Sequence, residues 1–133
     1  MMQKRAIRII ANASFTAHTE PLFSNLKILK FSKAIDLQFS ILMWEHDHGD
    51  LPPCFSNYFK KSSDVHHYAT RSSSHNKLAQ NINVNTEMHG KKKFMFIGPR
   101  IFNKISSLDF YKKCKNKCEF KRKMKDFLLG ECL

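Results

Sequence analysis

Cys114 and Cys118 stand four residues apart, with His66, His67 and His75 upstream, so zinc is the first chemistry to test. Structural zinc sites pair a short cysteine spacing with a second short ligand pair at a defined distance. Here the histidines lie far from the cysteines, in a polar stretch, and no knuckle spacing appears. The sequence therefore predicts no metal site. Glu45, Asp47 and Asp50, with His46 and His48, gather acid and base groups locally. They fall in an acidic, proline-closed turn, where solvation accounts for their charge, and no nucleophile with a base accompanies them. His66, His67, Ser72 and Ser73 make no triad, and no phosphate-cradling glycine loop is present. The expectation is no catalytic residue, no cofactor and no small-molecule substrate.

The remaining chemistry is cationic. From Lys91 to Leu133, 13 Lys or Arg face 4 Asp or Glu, a net charge of +9, whereas residues 1–90 carry a net +3. Charge of one sign at this density opposes compaction and is tolerated where a polyanion neutralises it. Nucleic acid is the commonest such partner. The candidate contacts are Lys4, Arg5 and Arg8 near the N-terminus, a basic knot at Lys91, Lys92 and Lys93, then Arg100, and finally Lys117, Lys121, Arg122, Lys123 and Lys125. Phe94, Phe96 and Phe102 stand beside the knot and Arg100. They have the type needed to stack on unpaired bases, although burial in a core is the commoner fate of phenylalanine.

Helices must position most of these groups. Residues 2–11 read as a short basic helix. Thr19 is placed to cap a second one, with Glu20 and Pro21 in its first turn. A third starts near Ser32 and ends at Trp44, with Ile35, Phe39 and Leu42 as its buried face. Phe55, Tyr58 and Phe59 make an aromatic turn. Residues 60–93 are rich in Ser, Asn, His and Lys, too polar to offset their ordering entropy, and read as a long disordered loop with a short strand near 67–71. Phe94 to Ile97 reads as a strand ended by a turn at Gly98 and Pro99. Ile101, Phe102 and Ile105 suggest a helical turn, and Ser107 a cap for a helix carrying Leu108, Phe110 and Tyr111. Asn116 with Glu119 fits a capping pattern for the last helix. That helix has Phe120, Met124, Phe127 and Leu128 as its apolar stripe and Gly130 at its end. The fold class is mainly α, with short helices, a minor β element and a long loop. Three segments follow: 1–59, 60–93 and 94–133.

The 133 residues make one domain or part of one, 42% hydrophobic and carrying 12 phenylalanines. No apolar run approaches the ~18 residues of a membrane span. No secretory pattern follows Lys4, Arg5 and Arg8, so the expectation is an intracellular chain with reduced thiols, in cytoplasm or nucleus.

Several strings, in order, resemble one family. QKRAIRII (Gln3 to Ile10) is similar to the segment after the polymerase core of non-LTR, LINE-type retrotransposon reverse transcriptases of the jockey-like kind. The likeness continues in HTEPLFSNLKILKF (His18 to Phe31), in the stretch ending LMW at Trp44, and in LPPCFSNYF (Leu51 to Phe59). HHYATRSSS (His66 to Ser74), GPRIFNKIS (Gly98 to Ser106) and FKRKMKDFLL (Phe120 to Leu129) resemble its later motifs. The resemblance implies the thumb and post-thumb tail of an RNA-directed DNA polymerase. The family's aspartate-bearing Y-x-D-D palm motif has no counterpart here, so no catalytic residue carries over. It implies contact with RNA or DNA and with the missing polymerase core, and a template or primer role for Lys4, Arg5 and Arg8. Two other readings fit the same residues: a vestigial reading frame without activity, and a helical module that docks a protein.

Overall fold

The computed structural model describes residues 2–55, 57–65, 68, 71, 77–79 and 94–130. They form a mainly helical protein: α1 (Met2–Ile10), α2 (Glu20–Asn25), α3 (Phe31–His48), a 3-10 turn (Pro53–Phe55), α4 (Ser62–Val65), α5 (Phe94–Ile105) and α6 (Lys117–Gly130). α3 is the central element, and both α5 and α6 pack on it.

Three helix ends share one device. After α1, Asn12 turns left-handed at φ 48°, its N–H bonding Ile9 O and that of Ala13 bonding Arg8 O. Lys27 at φ 51° does the same after α2, and Gly49 at φ 76° after α3. Each satisfies carbonyls that the helix leaves open. Asparagine and glycine enter this region at low cost; lysine does so against its Cβ. At the other end of α2, Thr19 holds the capping position, but its side chain makes no capping bond.

α3 departs from expectation twice. It runs four residues past Trp44, so Glu45 to His48 belong to its last turn rather than to a loop. Its buried residues are Leu37, Ser40, Ile41, Met43 and Trp44. The expected face is displaced: Ile35 is exposed, and Phe39 and Leu42 are half-buried. The helix is apolar on nearly every side, so periodicity alone could not choose the inner one.

α5 is the largest correction. Phe94 to Ile97 is helix, not strand, and the helix runs on through Gly98 and Pro99. A short apolar run fits strand or helix equally, and the Gly-Pro pair that should arbitrate has another use here. A Cβ on Gly98 would lie 2.8 Å from Phe59 Cζ and 2.9 Å from Met43 Sδ. The glycine is thus what lets α5 approach α3 and Phe59. Lacking a Cβ, it also relieves the clash that Pro99 imposes on its predecessor. Among the described residues no strand forms; one bridge joins Lys61 and Leu78. That bridge lies inside the stretch expected to be a disordered loop, and it sends Leu78 into the core. The strand expected near 67–71 falls mostly outside the described residues.

Two side-chain amides act as backbone substitutes. Gln3 Nε2 donates to Leu29 O at 2.9 Å, and its Oε1 accepts from Phe31 N at 2.8 Å. Asn103 clasps Leu78 likewise, Nδ2 to O at 3.0 Å and N to Oδ1 at 2.9 Å. Each amide matches one donor and one acceptor, as a neighbouring strand would. Asn103 thereby fixes the 77–79 segment on α5, a role that its place in GPRIFNKIS gave no signal for.

The core is aromatic. Trp44 lies between His48 and Phe120, with ring centroids at 3.8 and 5.7 Å. Tyr111 meets Phe120 and Phe102 edge-on. At the other end Phe94 packs with Phe39, Phe55, Tyr58 and Phe59. Phe94 and Phe102 are therefore core residues, not stacking platforms, and Phe96 is half-buried. Such offset and edge-on pairs add to the area they bury.

Candidate nucleic-acid interface

α6 carries the densest group of cations, and its own sequence sets them outward. Asn116 Oδ1 accepts from Glu119 N at 2.8 Å, and Glu119 Oε2 reaches back to Lys115 N at 3.4 Å. This is the expected cap, and it fixes where the helix begins. Phe120, Met124 and Leu128, at steps of four, then face the core. The residues between them, Lys117, Lys121, Arg122 and Lys125, are exposed. Lys117, Lys121 and Lys125 form one row, with a rise of about 6 Å per step.

Two of the five α6 cations have carboxylate partners. Lys117 Nζ lies 2.5 Å from Glu45 Oε1, at the end of α3, and Lys123 Nζ lies 2.7 Å from Glu119 Oε1. The bonds to Glu45 and Glu119 hold both ammonium groups above the usual lysine range. Lys123 and the backbone of Lys115 hold Glu119 below the usual carboxylate range. Lys117 is exposed and Glu45, Glu119 and Lys123 are half-buried, so water and salt still reach and screen both pairs. Lys121, Arg122 and Lys125 enter none of the ion pairs formed among the described residues. They are the outward charge of this face.

The other expected contacts are dispersed. Lys4 and Arg5 are exposed on α1. Arg8 is half-buried: its Nε donates to Ala17 O at 2.9 Å, and its guanidinium lies 5.9 Å from the centroid of Phe15. It holds the α1–α2 connection. Arg100 is exposed on α5 and borders a hollow with Asp36, Ser40 and Lys104. Lys91, Lys92 and Lys93 lie outside the described residues.

The acid and base groups near residue 47 take structural parts. Tyr111 Oη donates to Asp47 Oδ2 at 2.8 Å. Burial, then the bond to Asp47, drives the phenol far above its usual range. His46 stands edge-on to Phe59, and burial lowers its pKa. His48 Nδ1 lies 2.8 Å from Trp44 O. Ser107, expected to cap a helix, instead donates to Lys104 O at 2.7 Å, and the residues after it form turns. Cys114 and Cys118 do not share a helical face. Cys114 is buried before α6, its thiol pKa raised chiefly by that burial, and Cys118 is exposed on α6. Among the described residues no three His, Cys, Asp or Glu gather as metal ligands; His66, His67 and His75 lie outside them. Nor is any described helix long and apolar enough to cross a membrane. Comparison with models of known families, with curated proteins and with solved structures returned no match to this chain.

Proposed function

We propose that the chain binds RNA or DNA inside the cell through the outer face of α6, as thumb and post-thumb sequence of a LINE-type retrotransposon reverse transcriptase, outside the catalytic palm. One observation carries the binding: Lys121, Arg122 and Lys125 face solvent together, outside the ion pairs that occupy Lys117 and Lys123. The seven strings that resemble the family support the parentage. Lys4, Arg5 and Arg100 extend the contact, and the polymerase core of such an enzyme is the natural protein partner. Catalysis, a cofactor and a small-molecule substrate have no part in this function.

Phosphate contacts release counterions, so affinity falls linearly on a logarithmic salt axis, by about 0.9 per contact on duplex DNA and 0.7 on single strands. The three α6 cations predict a slope of about −2 to −3 from this face alone. Fluorescence anisotropy with labelled RNA and DNA across a salt series measures it. Changing Lys121, Arg122 and Lys125 together to Ala should flatten the slope by about 2 to 3. A folded chain that ignores both oligonucleotides at low salt refutes the proposal.

A further inference from the structure

α3 is apolar on more sides than its neighbours cover. Leu37, Ile41, Met43 and Trp44 are buried against the rest of the fold. A further face carries Phe31, Ile35 and Leu42, with the polar Gln38 between the last two. Phe31 is 69% exposed and Ile35 39%. Between this face and α6 lies a groove of about 570 Å³, bordered by Ala34, Ile35, Phe39 and Leu42 on one side and by Lys117 and Lys121 on the other. Open apolar surface of this kind marks a docking site.

Chemistry separates the possible occupants. Phosphates gain nothing from an apolar floor, and of the groove's two phenylalanines only Phe31 is exposed enough for a base to stack on. A second copy would bring +12 against +12, and that repulsion opposes pairing. A helix of another protein, with an apolar stripe and an acidic flank, matches both walls. Glu45 neutralises Lys117, which leaves the Lys121 ammonium to meet the acidic flank. We infer that the α3–α6 groove takes an acidic amphipathic helix from a partner protein. The inference does not rest on nucleic-acid binding, although Lys121 borders both surfaces.

The test uses the full chain and a labelled peptide of roughly 14 residues, about 20 Å as a helix, with Leu at i, i+4, i+7 and i+11 and Glu on the flanks. Controls carry Lys in place of Glu, or the same composition scrambled. The acidic peptide should bind at least about tenfold more tightly than either control. Phe31→Ser with Ile35→Ser should weaken it about tenfold or more, while oligonucleotide affinity stays unchanged because no charge is altered, and the melt shifts little because Phe31 is 69% and Ile35 39% exposed. Lys121→Glu should weaken it about fivefold. Absence of binding, equal binding of the controls, or indifference to the double substitution overturns the inference. So does a dimer in sedimentation that Ile35→Glu converts to monomer, because the occupant is then a second copy.

Discussion

Tyr111 shows how one side chain can tie chemistry to stability. Its hydroxyl donates to Asp47 from a buried position, and both burial and the neighbouring carboxylate disfavour the phenolate. The unfolded chain loses this proton near pH 10. The folded chain keeps it, so above pH 10 the unfolded state binds fewer protons and stability falls as pH rises. Below pH 10 both states are protonated and the residue adds no slope. Urea denaturation between about pH 8 and 11 should show a decline that Tyr111→Phe makes shallower. Equal slopes in the two proteins would refute this account of Tyr111. Its bond to Asp47 was not legible beforehand, because 64 residues separate the partners and no local pattern links them.

The helices differ in how openly the sequence announces them. α6 was legible: a cap three residues from its glutamate and an apolar residue every fourth position leave little choice. α1 was legible in extent; for α2 the start was, but the spacing of Phe23, Leu26 and Leu29 suggested a helix reaching Lys30, and it stops at Asn25, with Lys27 left-handed just beyond. α5 was not, because Gly98 and Pro99 usually punctuate the chain, and here they lie within a helix. What decides is a tertiary contact, the approach of Gly98 to Phe59 and Met43, which no window of sequence contains. Gly98→Val should therefore destabilise the protein by about 3 kcal/mol, by forcing Phe59 and Met43 out of place. Chemical denaturation measures the loss, and an unchanged midpoint would mean that α5 sits farther from α3. The inner face of α3 was illegible for a different reason. When nearly every side is apolar, spacing marks no preference, and the neighbours α5 and α6 make the choice.

At the scale of the whole molecule, charge pulls in two directions. A net +12 on 133 residues repels itself in the folded state more than in the expanded one. Raising ionic strength from about 0.01 M to about 0.15 M shortens the Debye length from about 30 Å to about 8 Å. The melting temperature should rise over that interval while oligonucleotide affinity falls. A melting temperature that drops instead would show that the ion pairs outweigh the repulsion. The excess charge was plain from composition. Its arrangement was not: Glu45 and Glu119 occupy two α6 lysines and Arg8 is taken up by Ala17 and Phe15, which narrows the expected contacts to a smaller outward set.

The amide of Asn103 has a consequence for the ageing of the protein. It both gives and takes a hydrogen, and Leu78 needs both. Spontaneous hydrolysis, which takes up water and releases ammonia, would leave a carboxylate, which only accepts. Its charge would then confront the Leu78 carbonyl, and the segment at 77–79 would come away from α5 without any change in the genetic message.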